Sequence, residues 1–271
     1  MQELTDIVKP FLRWAGGKSW LLKHLPELIP SKGFGNYHEP FLGGGSIFLA
    51  LNPKYSYLSD LNTELIDTYE TLRDYPKLVI SCLADYKNEE RYYYQMREFQ
   101  PTNPIENAAR FIYLNQTSFN GIYRVNLKGK YNVPFGYRTK NFFEPEKLTK
   151  VSERLQNVEF GRGDFSIILD NVQENDLVFL DPPYTVSHNN NGFIKYNHKL
   201  FSLDDQIRLS RIIDEIRSRG AYYILTNAAH DRIKEIFEKG DSRFTKSRAS
   251  LIGGASAQRG PTKEYVFTNT I

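Results

Sequence analysis

The apolar positions of this chain follow two rhythms. Some form short, nearly unbroken runs. Leu177-Val178-Phe179-Leu180 and Tyr222-Tyr223-Ile224-Leu225-Thr226 predict buried strands, and Asn36 to Phe41 predicts a short strand running into a glycine turn. Tyr55 to Ser59 predicts another strand, which ends at the acid Asp60. Other apolar positions recur at helical spacing. Trp20, Leu21, Leu25 and Leu28 predict a helix over Lys18 to Ile29, with Pro30 beyond its end. A helix opens between Gly45 and Ala50, and a longer one from Ser202 to Ser218 precedes the Tyr222 strand. Strands alternating with helices indicate an α/β sheet.

Residues 61–144 depart from this alternation. They are rich in helix-forming, polar and aromatic residues, as in Glu89-Glu90-Arg91-Tyr92-Tyr93-Tyr94. The expected organisation is therefore a sheet-bearing domain made of residues 1–60 and 145–271, interrupted by a mostly helical insertion over 61–144. Near the end of the insertion, Asn126 to Asn132 predicts a β-hairpin with Lys128-Gly129 near its turn. The chain shows neither an internal repeat nor a low-complexity tract.

A chain of 271 residues with 40% hydrophobic and 25% charged residues has enough apolar material for a proper core. The net charge of +3 is a slight hint of a polyanionic partner, but the local pattern says more. Between Gly121 and Phe143 the charged residues are Arg124, Lys128, Lys130, Arg138 and Lys140; between Ser242 and Thr262 they are Arg243, Lys246, Arg248 and Arg259. Both stretches lack acids and carry Tyr or Phe, which favours a nucleic-acid-binding surface over a merely solvated face. The single cysteine, Cys82, excludes an intrachain disulfide; it lies in the apolar stretch Val79-Ile80-Ser81-Cys82-Leu83 and reads as a core residue. The opening residues lack an apolar signal core, and no run approaches the length of a membrane span, so a cytoplasmic protein is expected. His24, His38, His188, His198 and His230 show no metal-ligand spacing.

The first candidate chemistry is Glu39-Pro40-Phe41-Leu42-Gly43-Gly44-Gly45, between a strand and a helix. In a doubly wound sheet a cofactor approaches the backbone there, and a Cβ would obstruct it. The full dinucleotide fingerprint is absent because Phe48 occupies the third glycine position, so a plain tight turn competes with a cofactor loop. Asp60, at the end of the next strand, stands where an acid would accept a ribose hydroxyl, and the pair points to an adenosine-containing cofactor. Trp14-Ala15-Gly16-Gly17-Lys18-Ser19 resembles a phosphate-binding loop only in part, since Leu12 stands where that motif needs glycine. Nucleotide hydrolysis is therefore disfavoured.

The sharpest signal is Asp181-Pro182-Pro183-Tyr184 after a buried strand. The exocyclic amine of adenine is a poor nucleophile because its lone pair is delocalised into the ring. An acceptor on Asp181 and the carbonyl of Pro182 can both take N6 hydrogens, which draws the nitrogen toward tetrahedral geometry. Two prolines fix the direction of that carbonyl, and Tyr184 offers a face for a base to stack on. The competing reading is a proline-rich turn after a strand.

Together these segments resemble the Dam family of DNA adenine methyltransferases, the α-ordered or D12 class, over essentially the whole chain. The matching pieces are Phe11-Leu12-Arg13-Trp14-Ala15-Gly16-Gly17-Lys18, Glu39 to Gly45, Ser59-Asp60-Leu61-Asn62, Asn120-Gly121-Ile122-Tyr123-Arg124-Val125-Asn126, Asn132-Val133-Pro134-Phe135-Gly136, Gly163-Asp164-Phe165 and Asp181 to Tyr184. The resemblance implies a Rossmann-like sheet with S-adenosylmethionine (SAM) as cofactor and double-stranded DNA as partner, in a chain that is monomeric in solution. It implies that Asp181, Pro182 and Tyr184 act on a flipped adenine, and that Trp14, Lys18, Phe41, Gly43, Gly45, Asp60, Asp164 and Phe165 hold SAM. The insertion becomes the target-recognition domain. There Phe119 and Asn120 would enter the duplex, Arg124 would read a guanine, and Ile122 and Pro134 would touch a thymine methyl. Arg13, Asn126 and Arg138 complete the DNA-binding set. Relatives often carry Tyr at the position of Phe119 and Lys at that of Arg13. The resemblance suggests a GATC or related site and leaves restriction–modification, a phage and regulation open as the role.

Four alternatives stand beside this reading: N4-cytosine methylation, methylation of RNA adenine, methylation of a protein glutamine, which would more often go with asparagine at position 181, and a non-catalytic DNA-binding partner that kept the fold. The acid at position 181 favours adenine. The placement of Cys82 argues against C5-cytosine methylation, which needs an activated cysteine.

Overall fold

The structure is a computed structural model, and it describes residues 6–126, 129–139, 141–185, 201–249 and 261–271, with backbone alone at 248, 249, 261 and 262. Lys128, Lys140 and Arg259 of the two basic stretches, His188 and His198 lie outside the described residues, as does the side chain of Arg248.

A seven-stranded sheet organises the chain. Its strands are β1 (Tyr37–Glu39), β2 (Ser56–Asp60), β3 (Val158–Arg162), β4 (Leu177–Leu180), β5 (Tyr222–Ala228), β6 (Ser242–Ala249) and β7 (Pro261–Thr268). The spatial order is β3-β2-β1-β4-β5-β7-β6. The first five strands are parallel, and β7 runs antiparallel to both its neighbours. Strand order reverses between β1 and β4, which opens a crevice at the carboxyl ends of those two strands. This is the Rossmann-like α/β sheet expected. The apolar run of β4 is buried on both faces, as a central parallel strand requires.

Helices follow in chain order: α1 (Leu25–Leu28), α2 (Ser46–Leu51), α3 (Thr63–Asp74), α4 (Pro76–Ala84), α5 (Glu90–Glu98), α6 (Pro104–Thr117), α7 (Pro145–Arg154), α8 (Leu203–Ser218) and α9 (Asp231–Phe237). The helix expected over Lys18 to Ile29 is instead a 3₁₀ segment over Ser19–His24 followed by α1. Pro26 explains the break: it has no N–H to continue an α ladder from the preceding turn, and it is tolerated in the first turn of the new helix. The Ser202 helix forms as expected. A capping box, with Ser202 and Asp205 satisfying each other's backbone N–H, fixes its start.

Between β2 and β3 the chain is mostly helical. Helix α3 covers the sheet: Tyr69 lies 6.1 Å from Phe160 of β3 and its hydroxyl donates to the Gly43 carbonyl. Helix α6 packs on α3 and α4, and its Ala108, Phe111, Ile112 and Leu114 join the same buried cluster as the strand residues Leu58 and Phe179. Beyond α6 the chain is held by bridges rather than strands. Val125 pairs with Tyr131, and the Asn126 N–H donates to the Lys130 carbonyl, which closes a hairpin about Gly129 where one was expected. Among the described residues, no helix is long and apolar enough to cross a membrane.

Candidate active site

Four adjacent parallel strands each present a chemical group at the carboxyl edge. The glycine loop follows β1, Asp60 ends β2, Asp164-Phe165 follows β3, and Asp181 follows β4. Because the strands are neighbours in the order β3-β2-β1-β4, segments far apart in sequence meet along one edge.

The glycine loop is tight for a reason. Gly43 and Gly45 have φ of +47° and +63°, in the left-handed region that suits glycine. A Cβ on Gly43 would sit 2.7 Å from Cδ1 of Trp14, so the indole is laid directly on the loop backbone. Asp60 holds the loop from the other side. Its Oδ2 accepts from Gly43 N at 3.0 Å and its Oδ1 from Asn62 N at 2.9 Å. Burial pushes the Asp60 carboxyl up, against these backbone hydrogen bonds. At the end of β1, burial pushes the Glu39 carboxyl up to about 8, and a hydrogen bond from the Tyr37 hydroxyl at 2.8 Å opposes the shift.

Phe41, Phe165 and Phe201 form a separate aromatic cluster, with Phe41 and Phe165 stacked at 5.4 Å. Asp164, at its rim, caps the turn after β3 through Ser166 N and pairs with Arg208 at 2.8 Å. Burial raises the Asp164 carboxyl, but Ser166 and Arg208 outweigh it and hold the group below its ordinary value. The Arg208 guanidinium also lies 4.9 Å over the Phe165 ring.

Asp181 has a partner on each carboxylate oxygen. Its Oδ2 lies 2.7 Å from Nζ of the buried Lys18, and its Oδ1 accepts from the Thr226 hydroxyl at 2.9 Å. Burial pushes the Asp181 carboxyl up and Lys18 pulls it back, with a net rise. Tyr184 donates to Glu264 at 2.6 Å, and Lys18 Nζ stands 5.0 Å from the Tyr184 ring centroid. Behind the loop, the buried Gln206 donates to the Pro183 carbonyl at 3.3 Å and accepts from Asn227 at 3.0 Å. The turn after β4 is thus held from α8 and β5 as well as by its own prolines.

Residues 14–250 match the family described as D12 class N6 adenine-specific DNA methyltransferase. The chain belongs to this family. It is 34% identical to the Type II methyltransferase M1.LlaDCHI of Lactococcus lactis subsp. cremoris, over 97% of this chain and 95% of that protein. It is 35% identical to the Type II methyltransferase M.MjaIII of Methanocaldococcus jannaschii, over 82% and 84%. It is 30% identical to the DNA adenine methylase of Escherichia coli K12, over 93% and 92%.

In this D12-class enzyme the candidate DNA-contacting residues gather around the end of α6. The buried Asn115 clamps Arg13 through its backbone, accepting from Arg13 N and donating to Arg13 O, each at 2.7 Å. The Arg13 guanidinium donates to the Ser118 carbonyl at 3.3 Å; burial first, and then neighbouring Arg138, lower its pKa. Phe119 is 52% exposed and Asn120 beside it takes a left-handed φ of 56°, so an aromatic tip projects from the surface. Phe119 N donates to the exposed Pro134's carbonyl, which ties the tip to the segment after the hairpin. Ile122, next in the chain after Gly121, is half-buried. The exposed Arg124 bonds Asn132 through Nε and Nη2, at 2.8 and 3.2 Å. Asn126 accepts from Lys130 N within the hairpin, and Arg138 is turned toward the Gln116 carbonyl at 3.3 Å.

The structure therefore joins Trp14, Gly43 and Asp60 in one set of contacts and Lys18, Asp181 and Tyr184 in another, with Gly45 in the same loop as Gly43. Phe41, Asp164 and Phe165 stand as a third group along the same edge. Sequence reasoning missed Glu264, Thr226, Gln206, Asn227, Asn115 and Arg208. None belongs to a recognisable motif, and Glu264 follows Thr262 and Lys263 in a segment with no unbroken apolar run.

Proposed function

We propose that this D12-class enzyme transfers the methyl group of SAM to N6 of an adenine rotated out of duplex DNA, within GATC or a related site. The observation that carries this reading is the turn from Asp181 to Tyr184 at the carboxyl end of β4, beside the β1–β4 crevice. It offers a carboxylate, a proline-fixed carbonyl and an aromatic face in four residues.

The residues present fit SAM. Gly43 and Gly45 hold left-handed φ in the loop at the carboxyl end of β1, which keeps side chains off the backbone where a cofactor approaches. Asp60 is already fixed by two backbone donors, so a spare lone pair on either oxygen is aimed without further ordering cost. The aromatic Phe41 and Phe165 and the rim carboxylate of Asp164 suit an adenine ring and its amine. When bound, SAM supplies a methyl group on a positively charged sulfur. Asp181 and the Pro182 carbonyl accept the N6 hydrogens and free the nitrogen lone pair, while Tyr184 stacks on the base. Thr226 and Gln206 keep these acceptors in place. Alignment of two bound reactants can contribute about 7–11 kcal/mol, and extrusion of the base costs a few kcal/mol.

Residues 61–144 form the target-recognition unit in this proposal, with α3 as its seat on the sheet. Phe119 and Asn120 fill the space left by the flipped base, Arg124 reads a guanine, and Ile122 and Pro134 meet a thymine methyl. Arg13, Asn126 and Arg138 contribute the remaining contacts. The test is methylation of duplex DNA with tritiated SAM, followed by nucleoside analysis. Label in N6-methyladenine supports the proposal; label in cytosine, or in RNA alone, overturns it. Asp181→Ala should abolish transfer while SAM still binds.

A further inference from the structure

The acid that completes the site lies in no motif. Glu264 is on β7, the one strand that runs against the rest, opposite Ala228 of β5. It is fully buried. Burying a carboxylate is costly unless a charge or hydrogen-bond partner meets it. Here Glu264 Oε2 accepts the Tyr184 hydroxyl at 2.6 Å and stands 4.0 Å from Lys18 Nζ. Lys18, itself only 2% exposed, therefore has two carboxylates within reach, and it is in contact with Asp181 at 2.7 Å.

That contact bears on the proposed chemistry. Asp181 carries a donor on each oxygen, Thr226 on Oδ1 and Lys18 on Oδ2. A charged donor on Oδ2 competes with an N6 hydrogen for the same electron density. Closing the gap from Lys18 Nζ to Glu264 needs roughly an ångström of movement to reach charge-assisted hydrogen-bond length. Lys18 stays paired throughout such a move, so the exchange costs the difference between two ion pairs and not the desolvation of a lone buried charge.

We propose that Glu264 is a positioning residue that takes Lys18 over from Asp181 when adenine enters, freeing Asp181 Oδ2 for the N6 hydrogen, while the same carboxylate orients the Tyr184 ring. The proposal rests on the reading that Asp181 accepts an N6 hydrogen.

The test uses the full chain with SAM and a methylatable duplex. Glu264→Gln keeps the size and an acceptor for the Tyr184 hydroxyl but removes the charge. Its single-turnover methyl-transfer rate should fall about 30-fold or more, the lower end of what loss of one partner from a buried charge pair costs. SAM and DNA affinities should each stay within about threefold, a much smaller change than the loss of a buried partner. Glu264→Asp, which restores charge with shorter reach, should recover part of the rate. Tyr184→Phe, which removes only the hydroxyl, should lose less than Glu264→Gln, and the double variant should be slower than either. A wild-type rate for Glu264→Gln overturns the proposal. So does a loss confined to SAM affinity, or a Tyr184→Phe loss equal to that of Glu264→Gln with no further fall in the double variant. If Glu264→Gln fails to fold, as shown by its melting curve, the decision falls to Glu264→Asp. A lowered kcat with unchanged SAM affinity supports the exchange, and a wild-type kcat overturns it. Activity retained by Asp181→Ala removes the underlying reading itself; a dead Asp181→Ala beside a wild-type Glu264→Gln removes only the exchange.

Discussion

Gly43 donates its backbone N–H to Asp60 Oδ2 over 3.0 Å, so the glycine loop after β1 and the acid ending β2 form one unit. The same carboxylate holds Asn62 N, the cap of α3. Asp60 thus joins three elements before any ligand arrives.

Replacing Asp60 should therefore act twice, on the cofactor contact and on the loop that shapes it. Asp60→Ala is expected to weaken SAM binding by at least about 1.5–3 kcal/mol, the worth of a hydrogen bond to a charged group. Titration calorimetry measures it, and unchanged SAM affinity would remove Asp60 from the site.

Gly43→Ala places a Cβ 2.7 Å from Trp14 and asks alanine to hold a φ of +47°. The conformational part alone costs about 1–2 kcal/mol. The melting temperature should fall and Trp14 should shift, giving altered tryptophan emission together with weaker SAM binding. A variant with the wild-type spectrum and affinity would show that the indole does not rest on this loop.

Arg124 is held through Nε and Nη2 by Asn132, and Lys130 nearby can serve a phosphate. A base-reading role predicts that Arg124→Ala costs about 1–3 kcal/mol on the cognate site only. A phosphate role predicts a uniform loss with a salt slope shallower by about one unit. We expect the first. The measurement is kcat/KM over duplexes differing by single base pairs, with salt titrations of binding; a uniform fall assigns Arg124 to the backbone.

Asp176, at the opposite end of the sheet from the site, supplies a pH dependence of stability. Burial raises its carboxyl, but His38 at 2.9 Å and the N–H groups of Gln173 and Asn36 outweigh this and hold it below its ordinary value. A depressed carboxyl stabilises the fold fully above its unfolded pKa of about 3.9, and that contribution disappears as pH falls below it. Asp176→Asn should be less stable than wild type near neutral pH, and the margin should shrink below about pH 4. Denaturant titrations at stepped pH measure it; a margin that does not shrink in acid would contradict the assignment.

Much of this enzyme was written in local signals. Apolar runs determined the strands at Leu177 and Tyr222, because a strand buried on both faces is apolar along its length, while the strands at Tyr37 and Ser56 were marked by the glycine turn and the acid that follow them. The glycine loop and the turn from Asp181 to Tyr184 were legible because their backbone geometry demands glycine and proline whatever surrounds them. The family resemblance assembled these pieces into one reading. Long-range pairing was decided elsewhere. Nothing local to Glu264 says that an antiparallel strand will insert beside β5 and carry it to Lys18, some 250 positions away in the chain. Asn115 reads as one polar residue on a helix until its amide is found gripping the backbone of Arg13. Pro26 carried its signal openly, yet the helical spacing around it concealed the break. Sequence determines which residues have special chemistry or special backbone needs. Only the tertiary fold decides which buried charges must share a partner, because that cost arises once water is excluded between them.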